Sequence, residues 1–332
     1  MYRMMNEYVA EFTAQLRQGL EIAGEFEMKE VPEFENVLIL GLGGSGIGGT
    51  ILSQLIADQC TVPISSSKDY TIPGFVGEQT LVIACSYSGN TEETLQALAD
   101  AVIRNAHIAC ISAGGKLSEA AMDKKWPLIQ IPTGYPPRAA FALSLIQLFK
   151  MADAYGLVMN DWQEEVEAAI KRLDENADQI KNTARQLAES IQGRLPVLYS
   201  SSWLDGVAVR WRQQINENAK TLAWTNVYPE MNHNELVGWR NENHDLVVIF
   251  LTSEFDHPRV MRRMELSEEV YRKYTPHIHH YKAQGESMLE QALYLINLGD
   301  WMTVYLADIK GADAVEVDVI DWLKGELAKT DL

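Results

Sequence analysis

The chain has 332 residues, of which 47% are hydrophobic and 22% charged; at roughly 150 residues per domain that is material for two domains with a sizeable core. A formal net charge of −18 argues against a nucleic-acid backbone or an anionic membrane surface as partner, because both require an excess of Lys and Arg. A site for a small anion must then draw its positive potential from backbone N–H groups, helix N-termini and a few basic side chains.

In chain order, an amphipathic, acid-bearing helix from about Asn6 to Gly24 opens the sequence. It lacks the basic start and apolar block of a signal peptide, and no apolar run reaches the roughly 20 residues of a membrane span. Val37-Leu-Ile-Leu-Gly41 reads as a buried strand and Ile47–Ala57 as a helix. The rhythm repeats with strand Leu81–Cys85, helix Thr91–Asn105, strand Ile108–Ser112, strand Leu128–Pro132 and the long apolar helix Ala139–Tyr155. Such βα alternation implies a parallel sheet covered on both faces.

A polar helical stretch, Asn160–Ile191, follows and suggests a boundary, giving expected domains of residues 1–155 and 156–332. The rhythm then restarts: strand Pro196–Ser200, helix Asp205–Lys220, strand Leu246–Thr252, helix Pro258–Tyr274, strand Ile278–Ala283, helix Ser287–Ile309 and a last helix over about Val317–Ala328. The three cysteines, Cys60, Cys85 and Cys110, are widely spaced, and two lie in apolar runs where free Cys serves as a small core residue. A soluble cytoplasmic protein is the expectation.

Two loops carry the chemistry. Gly41-Leu-Gly-Gly-Ser-Gly-Ile-Gly-Gly49 follows a strand and opens a helix, so its backbone can approach an anion closely with helix N–H donors behind it. Gly41, Gly43 and Gly46 also fit the dinucleotide pattern G-x-G-x-x-G. That reading wants an acidic residue about 20 positions on, where the chain has Thr61-Val-Pro-Ile-Ser-Ser-Ser-Lys68. A tight turn without a ligand is the third possibility. The second loop, Ser86-Tyr-Ser-Gly-Asn-Thr91, again lies between strand and helix and crowds three hydroxyls around Gly89, where an ordinary N-cap needs one. Two such loops at strand carboxyl ends point at one crevice and favour a phosphorylated ligand.

Three further stretches stand out. Arg138 heads an otherwise apolar helix in Tyr135-Pro-Pro-Arg138, as a surface charge or a site cation. Arg210, Gln213 or Gln214, and Glu217 share one helix face, which by pattern alone is a solvated face. His233 sits in the polar loop Pro229-Glu-Met-Asn-His-Asn-Glu235, and a histidine is suited to proton transfer near neutral pH. His277 and His279 share one face of the predicted strand beside His280, where packing or a solvated edge is a simpler reading than metal binding.

A strand ending in G-x-G-x-S followed by one ending in S-x-S-G-x-T-x-E-T resembles the sugar isomerase (SIS) domain. R-W-x-x-Q-x-N-E-N-A-K, then P-E-x-N-H-N-E, P-P-R at a helix head and Ile320-Asp-Trp-Leu-Lys324 resemble, nearly end to end, the bifunctional phosphoglucose/phosphomannose isomerases within that group. The resemblance implies an α/β fold of two doubly wound parallel-sheet SIS domains. It also implies a homodimer that interconverts glucose 6-phosphate with fructose 6-phosphate and leaves mannose 6-phosphate open as a second aldose. It gives Gly44, Ser45, Ser86, Ser88 and Thr91 to the phosphate, Glu217 to proton transfer, Arg138 to the intermediate's charge, and His233, reaching the partner's site, with Lys324 to ring opening. Lys310 competes with Lys324. The route needs no metal or redox cofactor. The other readings are an SIS-type phosphosugar-binding regulator and an NAD-dependent oxidoreductase. The chain has no basic helix-turn-helix segment to support the regulator.

Overall fold

Short apolar runs between glycine-rich turns fold here as parallel strands, because their crossover helices cover both sheet faces. The structure is a computed structural model that describes residues 3–28, 30–159 and 161–329. The first half runs α1 (Met5–Ala10), α2 (Phe12–Glu25), β1 (Asn36–Leu40), α3 (Gly43–Leu55), β2 (Ile64–Ser67), β3 (Thr80–Ser86), α4 (Glu92–Ile103), β4 (His107–Ser112), α5 (Gly115–Lys124), β5 (Leu128–Gln130) and α6 (Phe141–Ala154), with a 3-10 turn at Pro137–Ala139. The second runs α7 (Trp162–Glu175), α8 (Ala177–Ile191), β6 (Leu195–Ser201), α9 (Asp205–Ala219), β7 (Trp224–Tyr228), β8 (Leu246–Thr252), α10 (Pro258–Tyr271), β9 (Ile278–Lys282), α11 (Met288–Lys310) and α12 (Asp318–Leu327).

Every strand pairing is parallel, and the orders are β2-β1-β3-β4-β5 and β7-β6-β8-β9. Two strands, β2 and β7, are additions to the expected set. Both are edge strands with half-exposed residues, and neither Ile-Ser-Ser-Ser nor Trp-Thr-Asn-Val-Tyr presents the continuous apolar run of a central strand. The opening helix divides at Glu11, whose carboxylate accepts a hydrogen bond from Tyr135 Oη (2.9 Å) and pairs with Arg3. The polar stretch begun at Asn160, which lies outside the described residues, divides at Asn176.

One buried apolar cluster joins α2, α3, α6, α7, α8, α9 and α11, so the helical layer between the sheets is common to both halves. At its centre, α11 is buried on all sides from Leu289 to Ala307. In the first sheet the strand order reverses about β1: β2 lies on one side and β3 on the other. The loops after β1 and β3 flank that switch point, where open α/β sheets bind ligands.

Candidate active site

The loop after β1 demands glycine at specific places. A Cβ on Gly46 would lie 2.2 Å from the Gly41 carbonyl oxygen, so no side chain fits where α3 folds back on its own entry. A Cβ on Gly44 would come within 3.2 Å of the Pro137 carbonyl and 3.3 Å of Arg138 Cα. The glycine loop is therefore pressed against the turn that carries Arg138. Ser45 Oγ accepts a hydrogen bond from the Tyr87 N–H at 3.2 Å, which ties this loop to the one after β3.

In that second loop, Ser86 and Thr91 hydroxyls are 2.8 Å apart, and Ser88 Oγ accepts from the Asn90 N–H at 3.2 Å. Thr91 is the N-cap of α4, yet its hydroxyl caps no helix N–H. It faces Ser86 instead, so the first-turn N–H groups of α4 receive no side-chain cap from it. Ser86 is buried and Ser88 exposed, so the hydroxyls form a short ladder from core to solvent. Of the expected phosphate residues, Ser86 and Thr91 meet directly, Ser45 is tied to the same loop through Tyr87, Ser88 lies on the exposed side of that loop, and Gly44 precedes Ser45.

Arg138 and Glu217 meet across the two halves. Helix α9 packs on α3: a Cβ on Gly206 would lie 2.7 Å from the Ile51 side chain, and the Gly206 N–H donates to Gln54 Oε1 at 2.9 Å. At the other end of α9, Glu217 Oε2 stands 3.3 Å from Arg138 Nη1. The Arg138 side chain is 4% exposed and that of Glu217 28%, so the cation is buried and the carboxylate is open on one side. Burial lowers the Arg138 pKa while Glu217 opposes the shift; an arginine remains charged regardless.

A buried polar network fixes this pair. Arg138 Nε donates to Asn218 Oδ1 at 2.8 Å, and its Nη2 donates to the carbonyls of Ala314 and Val315. Asn218 Nδ2 donates to Thr303 Oγ1 at 2.9 Å. Arg210 Nη2 reaches the Arg138 carbonyl at 3.3 Å and Asp300 Oδ2 at 2.6 Å, its guanidinium lying 4.0 Å from the centre of the Phe141 ring. Gln214 Nε2 completes the Asp300 shell at 3.0 Å. Burial raises the Asp300 pKa, and Arg210 and Gln214 work against that rise.

The end of α9 is clamped as well. Lys220, left-handed at φ +49°, donates from Nζ to the carbonyls of Glu217 (2.6 Å) and Glu316 (2.7 Å). Lys310 Nζ donates to the Lys220 carbonyl at 3.0 Å and to Thr221 Oγ1. Lys310 therefore closes the helix end behind Glu217.

His233 and Lys324 stand apart. His233 ends a 3-10 turn, Glu230–His233, and its ring is exposed. Two residues on, the Glu235 carboxylate accepts from Tyr199 Oη, Asn226 Nδ2 (2.7 Å) and Trp224 Nε1 (3.3 Å), pinning the segment to the second sheet. Lys324 is exposed on α12. Among the described residues, neither the His233 nor the Lys324 side chain makes a hydrogen bond or ion pair with Glu217 or Arg138. Of the β9 histidines, His280 stacks on Phe250 (4.8 Å) and pairs with Glu268 (3.0 Å), while burial lowers the His279 pKa. Among the described residues no helix is long and apolar enough to cross a membrane.

Sequence reasoning missed Asp300 and Thr303, and it quoted Asn218 and Lys220 within a motif without giving either a role. The available signal was the polar pair Asp300 and Thr303, spaced i, i+3 inside the apolar run of α11.

Comparisons with known proteins show the family and the fold. Residues 180–327 match the family model of the bacterial phospho-glucose isomerase C-terminal SIS domain. The chain is 36% identical to a bifunctional phosphoglucose/phosphomannose isomerase of Caldicellulosiruptor bescii, over 98% of this chain and 99% of that protein. It is 35% identical to a protein of the same description from Aquifex aeolicus, over 91% and 93%. Its fold matches the solved C-terminal domain of glucosamine-fructose-6-phosphate aminotransferase from Francisella tularensis with a TM-score of 0.77 at 15% identity, covering 94% of this chain and 98% of that one. The resemblance read from the sequence motifs is borne out: the chain belongs to the bifunctional phosphoglucose/phosphomannose isomerase family.

Proposed function

We propose that the protein is an aldose–ketose isomerase interconverting glucose 6-phosphate, with mannose 6-phosphate as a second aldose, and fructose 6-phosphate. The observation that carries the reading is the Arg138–Glu217 pair at 3.3 Å, with Arg138 in the turn packed on the glycine loop. The phosphate docks against Ser45, Ser86, Ser88 and Thr91 beside Gly44, on the N-terminus of α4. The Glu217 carboxylate removes the proton from C2 of the open-chain aldose, leaving a cis-enediolate, and returns it to C1 while the hydroxyl proton passes from O2 to O1, which gives the ketose. A positioned carboxylate suits this because it can carry one proton between adjacent carbons. The Arg138 guanidinium lies where negative charge develops, and its fixed fork needs no reorganisation as the charge forms.

The sugar enters as a ring, and His233 and Lys324 open it by moving a proton between the ring oxygen and the C1 hydroxyl. That neither side chain, among the described residues, bonds Glu217 or Arg138 within one chain favours His233 coming from the partner of a homodimer. The exposed apolar residues Val319, Trp322 and Leu323 on α12 support a subunit partner. We place the functional division of the chain at residues 155 and 156, and the enzyme in the cytoplasm. The test is turnover of fructose 6-phosphate by the purified protein, with glucose 6-phosphate measured after the isomerase step. Formation of glucose 6-phosphate is expected, and its absence would refute the isomerase reading.

A further inference from the structure

The second sheet repeats the strand order of the first, β7-β6-β8-β9 against β2-β1-β3-β4, so β6 and β8 occupy the places of β1 and β3. The loops after β1 and β3 carry the proposed phosphate hydroxyls. The loops after β6 and β8 carry Ser201-Ser-Trp203 and Ser253-Glu-Phe-Asp256. Three donors from these two loops converge on a single group. Ser201 Oγ and Trp203 Nε1 (2.9 Å) donate to Asp256 Oδ1, and the Ser253 N–H donates to Oδ2 at 2.7 Å.

The acceptor is unusual for its surroundings. Asp256 is 6% exposed, and the donors Ser201 and Ser253 are 4% and 3% exposed. Among the described residues no Lys, Arg or His forms an ion pair with it. A carboxylate buried without a counter-ion is costly, and burial raises its pKa despite the three donors. Among the described residues, three directed donors, and no cation, satisfy it. Directed N–H and O–H donors closing around an anion at the switch point between β6 and β8 are what an oxyanion cradle consists of.

We propose that the second half carries an oxyanion cradle in the position of the first-half phosphate site, kept filled by the chain's own Asp256 carboxylate. The chain then takes one phosphosugar, in the first half, and the second cradle is closed to phosphate. The comparison of halves rests on the phosphate reading of the first-half loops given above. The cradle adjoins a cavity of about 460 Å³ whose lining includes Lys282, Glu254 and an Arg262–Glu265 pair at 2.7 Å, so Lys282 is the cation an anion would meet on entering once the carboxylate is removed.

The experiment counts inorganic phosphate bound per full-length chain, by calorimetry or phosphorus NMR, in four proteins: wild type, Asp256→Ala, a Ser86→Ala/Ser88→Ala/Thr91→Ala triple variant, and the two changes combined. One equivalent is expected for the wild type, two for Asp256→Ala, none for the triple variant and one for the combination. Retained turnover of fructose 6-phosphate by Asp256→Ala reports that it is folded. Asp256→Ser, which keeps a short polar side chain, replaces it if the alanine variant does not fold. An active Asp256 variant that still binds one equivalent, or a wild type that binds two, would overturn the proposal. Phosphate binding that survives in the triple variant would instead refute the first-half reading, and the Asp256 comparison would still decide the second.

Discussion

The guanidinium of Arg138, buried in the turn before α6, lies 3.3 Å from the carboxylate of Glu217 at the end of α9, although the two residues belong to different halves of the chain. Asn218, adjacent to Glu217, binds the same guanidinium through Oδ1 and is itself anchored to Thr303 of α11. The pair is thus held from the core side, and its open edge is the one the Glu217 carboxylate shares with solvent.

Arg138→Lys keeps a charge but loses the fork that reaches Glu217, Asn218 and two carbonyls at once. We expect kcat to fall on the order of 100- to 1000-fold, with a smaller change in KM, because the lost interaction is strongest when the enediolate charge develops. An equal loss in KM alone would mean that Arg138 serves ground-state binding.

Asp300→Ala leaves Arg210 buried without its partner and frees Gln214. Removing one member of a buried ion pair costs about 3–5 kcal/mol. A clear drop in the denaturant midpoint is expected, with turnover falling as the Arg138 carbonyl loses its anchor. A change under about 1 kcal/mol would show that the pair is dispensable for the fold.

Gly46→Ala places a methyl 2.2 Å from the Gly41 carbonyl oxygen. The loop must shift to admit it, so phosphate affinity should collapse. Gly24→Ala, in α2 and outside the loop, serves as the control, because nothing lies within 4 Å of its Cβ position. Phosphate titration of both variants checks this.

Thiol chemistry tests the core. Burial pushes the Cys110 thiol up to about 12 and raises that of Cys85 further, so both remain protonated at neutral pH and out of reach. Cys60 is partly exposed. Alkylation of the native protein followed by peptide mapping should find label at Cys60, with Cys85 and Cys110 modified only after unfolding.

The parallel βα plan was legible because central strands such as Leu81–Cys85 are buried on both faces and read as continuous apolar runs. Strands β2 and β7 were hidden because an edge strand needs only one paired side and tolerates Ser65, Ser66 and Asn226. The two loops were legible because glycine and clustered hydroxyls are local signals. The network of Arg210, Asp300, Asn218 and Thr303 was not, since it depends on α9 and α11 meeting in space, 85 to 90 residues apart in sequence. A polar residue in an apolar helix reveals that it has a partner but not which one.

The most direct test of the account is Glu217→Gln, measured for both substrate binding and turnover. The carboxamide keeps the size of the side chain and cannot shuttle the proton. We predict that fructose 6-phosphate still binds with an affinity within a few-fold of wild type, while kcat falls roughly 100- to 10,000-fold. Turnover close to the wild-type rate in a correctly folded variant would contradict the central claim that Glu217, set against Arg138, carries the proton between C1 and C2.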